Sequence, residues 1–251
     1  MQWQQIPILK AVAWYDDAAA AAAVSASSGF FEVATAAPDV TYVEPMTRRR
    51  LSRLARAVLD CAGRCQTSAG DLRVVAASRH GELARTLAQL EDIAAGAELS
   101  PTAFSLSVHN ATAGLLSIIR RNHAPMSAVA AGEETFGWGL LDAHAAFKAS
   151  PDEPVLYLYG DDVLPGSLNE FADTADGLLA IGVLIAPGAE RCLEVRAHAA
   201  AAEADERSLP ASFMSAAPEG QWTGRRMRWE WRWESGLEST RHAEPPARNV
   251  H

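Results

Sequence analysis

Apolar residues recur at helical spacing in some stretches of this chain and in short continuous runs in others, and the alternation of the two patterns sets the expected elements. Leu51, Leu54, Ala55, Val58 and Leu59 fall at i, i+3, i+4, i+7 and i+8, one buried stripe of a helix that Thr47 is placed to cap. Leu72–Ala77 reads as a strand, followed by a helix through Leu83, Leu87, Leu90 and Ala94 that stops near Gly96. Ser100-Pro101-Thr102 opens the next helix, in which Val108, Ala111, Leu115 and Ile118 keep helical spacing. A strand over 126–131, a helix from Glu133 and an apolar strand at Val155–Tyr159 follow. Strands alternating with helices of this length predict an α/β domain, a largely parallel sheet with helices on its faces.

Beyond residue 160 the pattern changes. Leu178–Ala186 and Cys192–Ala197 are apolar runs separated by Pro187-Gly188, which suggests an antiparallel hairpin at a sheet edge. Ala199–Asp205, rich in Ala and Glu, fits helix or loop equally. Within Trp222–Glu234, Trp229, Trp231 and Trp233 alternate with Glu230 and Arg232, a strand period that lays three indoles on one face. Near the N-terminus, Asp16–Ser25 is almost all alanine behind two aspartates and predicts a surface helix. From Glu238 the chain is polar, with Pro245-Pro246, and reads as a disordered tail. The expected organisation is one domain over 1–237 and a tail over 238–251.

With 251 residues, 49% of them hydrophobic, the chain has enough apolar material for a substantial core. A net charge of −9 gives a nucleic-acid role no support from the global field. No apolar run approaches the roughly 20 residues of a membrane span, and no basic-then-apolar leader opens the chain, so a cytoplasmic protein is expected. Cys61, Cys65 and Cys192 fit buried reduced thiols better than a disulfide framework or a zinc site, and no metal or cofactor ligand set stands out. Arg48, Arg49, Arg50, Arg53 and Arg56 ring the start of the second helix, where basic charge opposes the helix dipole. They fit either a solvated face with local acidic partners or a docking patch for an acidic protein.

The chemistry concentrates where Met126-Ser-Ala-Val-Ala-Ala turns into Glu133-Glu-Thr-Phe-Gly-Trp. A sharp strand-to-helix turn presents one side chain to converging N–H groups at a helix N-terminus, a setting that activates a thiol and stabilises an oxyanion. Here Glu133 and Glu134 stand at the turn, and no cysteine lies nearby in sequence.

Ser100-Pro101, Asn110, Ala113-Gly114, Pro125, the elbow at Glu133 and Ala143, with Tyr159-Gly160-Asp161-Asp162, occur at spacings that resemble the N-terminal half of β-ketoacyl synthases. Phe104–Asn110 and Ala130–Thr135 are similar to half-length, synthase-like chain-length factors of aryl polyene pathways. The resemblance implies half of a thiolase-like fold, a layered α/β/α arrangement around a mixed, mostly parallel central sheet. It places Glu133 where a synthase has its cysteine, and the synthase half that supplies two histidines has no counterpart here. It further implies a non-catalytic subunit that pairs with an active ketosynthase and meets an acyl carrier protein indirectly, without cofactor. Glu133, Phe136, Trp138 and Asn110 become candidates for the tunnel and subunit interface, and Arg48, Arg49, Arg50 and Arg53 for partner binding. Glu133 fits three roles: a helix-capping carboxylate, a plug in the elbow, or a group assisting decarboxylation. Phe136 and Trp138 fit either core or tunnel floor. His109 and Asn110 fit residues that satisfy backbone groups beside the elbow. Two other classes remain open, a stand-alone thioester decarboxylase or hydrolase using Glu133 or Glu134, and a homodimeric scaffold.

Overall fold

A computed structural model describes residues 1–17, 21, 22, 24, 30–34, 37–65, 71–172, 177–201, 203–215 and 218–235. Half of the alanine-rich stretch Asp16–Ser25 and all of the tail from 238 lie outside these residues; Ala21, Ala22 and Val24 are helical. The N-terminal run Gln4–Tyr15 forms the longest strand, β1, for which the sequence reading made no provision. Its first half pairs with β7 (Arg191–Ala199) and its second half with β6 (Leu179–Ile185), the register shifting between Ile8 and Lys10.

This arrangement corrects the expected hairpin, because β1 lies between the two runs that Pro187-Gly188 connects. All seven residues of β6 are buried, the pattern of a strand with neighbours on both edges and cover on both faces.

Around this centre the sheet order is β4-β3-β5-β6-β1-β7-β9-β8, with the short β2 (Glu32–Ala34) beside β1. Here β3 is Arg73–Ala77, β4 Met126–Val129, β5 Val155–Asp161, β8 Glu219–Thr223 and β9 Met227–Ser235. The pairings β1–β2, β3–β4 and β3–β5 are parallel and the others antiparallel. Most strands thus point one way, as expected of a mixed sheet, but β6, β7 and β8 run against them, so parallel pairing is less frequent than the alternating pattern suggested. Ala199–Asp205 contains no helix among its described residues; helix α7 comes later, at Leu209–Ser215.

Two helical layers cover the sheet. On one face, α2 (Arg53–Cys65) buries Leu54, Val58, Leu59, Cys61 and Cys65 against Val12, Leu156, Leu158 and Leu184. The predicted stripe is therefore core, but its start differs. Glu44, not Thr47, caps the short helix α1 (Pro45–Arg50), and the chain breaks at Leu51 before Ser52 Oγ accepts the Ala55 N–H at 2.9 Å to cap α2.

On the other face, α6 (Thr135–Ala149) packs on the sheet, and its first turn also meets Trp229 where the sheet continues into the tryptophan hairpin β8–β9. Two glycines permit this close approach. A Cβ at Gly139 would come within 2.8 Å of Tyr157, and one at Gly137 within 2.5 Å of Trp229. Trp222, Trp229, Trp231 and Trp233 are all buried, and Phe213 of α7 packs against Trp231 and Trp233. The alternation of indoles thus marks a core face.

The remaining helices, α3 (Leu83–Ala94), α4 (Pro101–Ser105) and α5 (Ala111–Arg120), are poorly buried. Ser100 caps α4 and Gly96 ends α3 at φ +71°, as expected, but the apolar stripes do not form core. Leu90, Ile93, Leu99, Phe104, Val108 and Ile118 are exposed, whereas α5 buries Ala111, Ala113 and Leu116.

Candidate functional site

Strand β4 gives way at Gly132, whose φ of +62° turns the chain sharply into a single 3₁₀ turn over Gly132–Glu134 and then α6. Thr135 fixes the turn: its hydroxyl donates to the Gly132 carbonyl at 2.6 Å and accepts the Ala131 N–H at 2.9 Å. The elbow is thus formed, with the α-helix starting at Thr135, two residues after the expected Glu133.

Both elbow carboxylates are engaged by the hairpin turn between β8 and β9. Glu133 Oε1 accepts the Arg225 N–H. Glu134 is buried; its Oε1 accepts the Met227 N–H at 2.9 Å and its Oε2 the Trp138 indole N–H at 3.0 Å. Trp138 stacks edge-on against Trp229. Phe136 sits in the core against Tyr157, Tyr159 and Phe213.

The C-terminal ends of β3 and β5 open a cleft of about 90 Å³ in front of the elbow, lined by Arg79, His80, Glu133, Tyr159, Asp161, Leu179 and Trp222 among others. Its wall is built by Asp161. That carboxylate accepts from Ser78 Oγ at 2.8 Å, from the N–H groups of Arg79 and His80, and from the Tyr159 hydroxyl at 2.7 Å. From the other side His109 Nε2 donates to the Ser78 carbonyl at 2.7 Å. This fastening of the 78–81 loop had no clear sequence signal beyond Gly81, which takes φ +57°. Burial raises the carboxyl pKa of the neighbouring Asp162 against the opposing pull of Arg53, and burial likewise raises that of Glu82, which accepts from Ser52 Oγ at 2.7 Å.

The candidates therefore divide. Glu133, Glu134 and Trp138 meet at the elbow, and Phe136 lies behind them in the core. Asn110 is exposed at the start of α5 and makes no side-chain capping bond; its neighbour His109 holds the loop. Arg48, Arg49 and Arg50 occupy the last turn of α1, where basic charge favours the dipole, which corrects the expectation of an unfavourable placement. Arg53 opens α2 and pairs with Asp16 and, at 3.1 Å, Asp162, while Arg56 donates to the Arg48 carbonyl.

No thiol serves the elbow. Cys61 and Cys65 are buried on the sheet-facing side of α2, on the opposite face of the sheet from the elbow helix, and Cys192 is buried in β7. Burial raises all three, Cys65 to about 12 and Cys192 to about 11. Among the described residues no group of three or more His, Cys, Asp or Glu is placed to hold a metal, and no helix is long and apolar enough to cross a membrane.

Residues 22–234 match the β-ketoacyl synthase N-terminal domain. The chain belongs to this family. A chain from the complex of the ketosynthase ApeO with its chain length factor ApeC, from Xenorhabdus doucetiae, is 25% identical with a TM-score of 0.70, over 92% of this chain and 97% of that one. The type II polyketide ketosynthase assembly AntDE:AntF, in which a ketosynthase is bound to its acyl-carrier protein, shares the fold at 13% identity and a TM-score of 0.55, over 78% of this chain and 70% of that one. A β-ketoacyl synthase from Burkholderia phymatum STM815 gives 12% and 0.50, over 67% of this chain and 52% of that one. No curated protein matches the chain. The fold is thus the thiolase-like, layered arrangement of ketosynthases.

Proposed function

We propose that this chain is a non-catalytic, ketosynthase-like subunit of the chain-length-factor type, pairing with an active ketosynthase in chain elongation of the aryl polyene, polyketide or fatty acid kind. The observation that supports the reading is the elbow itself: its turn is formed, Glu133 and Glu134 stand at it, and both carboxylates are tied to backbone N–H groups of the hairpin turn. A carboxylate so held is a clamp in place of a nucleophile. The near-complete overlap, in both directions, with a chain of the ApeO–ApeC complex supports the same reading.

The partner face follows from what the fold leaves uncovered. Strand β4 is an edge strand with Ser127 and Ala128 exposed, open to pairing with a strand of another subunit. The segment leading to it carries the exposed Leu90, Ile93, Phe104, Val108 and Ile118, side chains whose apolar area gains from cover. Arg49 and Arg50, exposed at the end of α1, are the side chains offered to an acidic carrier protein.

Co-expression and co-purification with a ketosynthase from the same organism, followed by a condensation assay with and without this subunit, test the reading. A stable pair that elongates only with both chains is the expected result. A chain that stays alone, or that releases carbon dioxide or free acid from an acyl carrier unaided and loses this in Glu133→Gln, overturns it.

A further inference from the structure

Strand β4 ends the sheet on the elbow side, and among the described residues it pairs with β3 alone, so one row of its backbone N–H and C=O groups is open. Such an edge is a template for another strand, the same strand of a second copy included. Apart from its shortness, β4 carries none of the usual guards within itself. Its sequence, Met126-Ser-Ala-Val129, has no proline and no charge, and Ser127 and Ala128 are small and exposed. The charge comes from the helix above. Asp142 is exposed on α6, and its Oδ2 accepts the Ser127 hydroxyl at 3.0 Å, which fixes a carboxylate over the strand. No cation among the described residues pairs with it.

Two copies that met at this edge would pair about a two-fold axis, which makes the two strands antiparallel and keeps both α6 helices on one face. Full overlap of the four residues sets Ser127 opposite Ala128 of the second copy. With neighbouring strands about 4.8 Å apart, the two Ser127 residues become diagonal neighbours, and the two Asp142 carboxylates above them come within about 10 Å of each other. Lys148 gives no relief, because it lies about 9 Å further along α6, on the side away from the axis. Like charges so placed oppose association, and at a separation near the Debye length that opposition depends on salt.

We propose that Asp142 guards this edge: it keeps two copies of the chain apart and admits a partner strand whose flank brings a lysine or arginine to face it. The occupant to which the edge is matched is therefore a ketosynthase strand with a basic flank, chosen over a second copy by charge. The inference rests on the reading of β4 as the partner face and adds what selects the partner there. Self-pairing of the isolated chain reads the guard without any ketosynthase.

The test is sedimentation velocity of the full chain, of Asp142→Asn, of Asp142→Lys, and of an equal mixture of Asp142→Lys with the unaltered chain, at low and high salt. Asparagine keeps an acceptor for the Ser127 hydroxyl and removes only the charge. The expected result is self-association of Asp142→Asn roughly tenfold tighter than that of the unaltered chain, and a mixed pair tighter than either component makes alone, both differences shrinking at high salt. Toward a ketosynthase from the same organism, Asp142→Lys is expected to bind roughly tenfold more weakly than the unaltered chain. Equal self-association in all samples, or a ketosynthase affinity that Asp142→Lys leaves intact, overturns the inference. If Asp142→Lys fails to fold, Asp142→Asn decides by the same comparisons. If the ketosynthase does not bind the unaltered chain at all, the subunit reading fails, and the self-pairing measurement still decides the guard.

Discussion

Ile118→Glu separates an interface side chain from a core one. Ile118 is 76% exposed although it sits on an amphipathic helix, α5, whose opposite side buries Leu116. Full burial of an isoleucine contributes about 1.5–3 kcal/mol, so cover of the area still exposed is worth roughly 1–2 kcal/mol. A carboxylate in the same place adds a desolvation cost of at least about 1–2 kcal/mol. The sum, about 3 kcal/mol, corresponds to a Kd for the ketosynthase raised roughly a hundredfold. In the free chain the substitution touches only solvent, and its stability changes by no more than about 0.5 kcal/mol. Titration calorimetry against the ketosynthase gives the first quantity and urea denaturation of the isolated chain the second. A wild-type Kd with intact stability shows that α5 is not at the partner face. A loss of several kcal/mol in the free chain shows that Ile118 is core, and the assignment of α3–α5 to an interface fails with it.

Three further outcomes follow from the packing. Gly137→Val drives a side chain into Trp229, 2.5 Å from where the Cβ would stand, and is expected to cost about 1–3 kcal/mol in chemical denaturation, with a change in indole emission; wild-type stability contradicts the close packing of α6 on the hairpin. Asp161→Ala leaves the Arg79 and His80 N–H groups and two hydroxyls without their acceptor, an expected loss of about 2–4 kcal/mol, with fast amide exchange confined to 78–81. Because burial holds the Cys65 thiol protonated up to about 12 while an unfolded thiol ionises near 9.0, the unfolded chain loses its proton first. This thiol's contribution is complete below pH 9 and is lost as pH rises toward 12, by roughly 1.4 kcal/mol per pH unit; a Cys65→Ala chain whose stability falls just as steeply over that range contradicts the assignment.

What the sequence made legible was what is local. The stripe of α2 and the indoles of β9 are core because their spacing matches the element that carries them, and each element has its cover within the same chain. The stripes of α3 and α5 have equally good spacing, yet Leu90 and Ile118 are exposed, since periodicity reports that a face is apolar and is silent on which chain covers it. The supposed hairpin failed for a different reason. The strand that parts β6 from β7 comes from residues 4–15, and pairing at that separation leaves no trace in a local window. The elbow was visible as a turn with two carboxylates, but their partners lie 92 and 93 residues onward, so the sequence left the role of Glu133 open among three readings.

The tryptophan hairpin helps hold the elbow in shape. The first turn of α6 is apolar on two sides, with Gly139 set on Tyr157 of β5 and Gly137 against Trp229 of β9, while Asp142, Ala145 and Lys148 further along face solvent. Here the same strand that buries Trp229, Trp231 and Trp233 presents Glu230 and Arg232 outward, where they pair with Arg196 and Glu194 of β7 and keep that side of the extended sheet wetted. The turn of this hairpin reaches the N-terminus of α6, where orphan N–H groups and the positive end of the dipole favour acidic residues. Glu133 and Glu134 satisfy that preference and, through Arg225 and Met227, close the hairpin onto the first turn of that helix. The acidic pair thus joins the hairpin turn to the helix it contacts, so packing and these two hydrogen bonds hold the bend in shape.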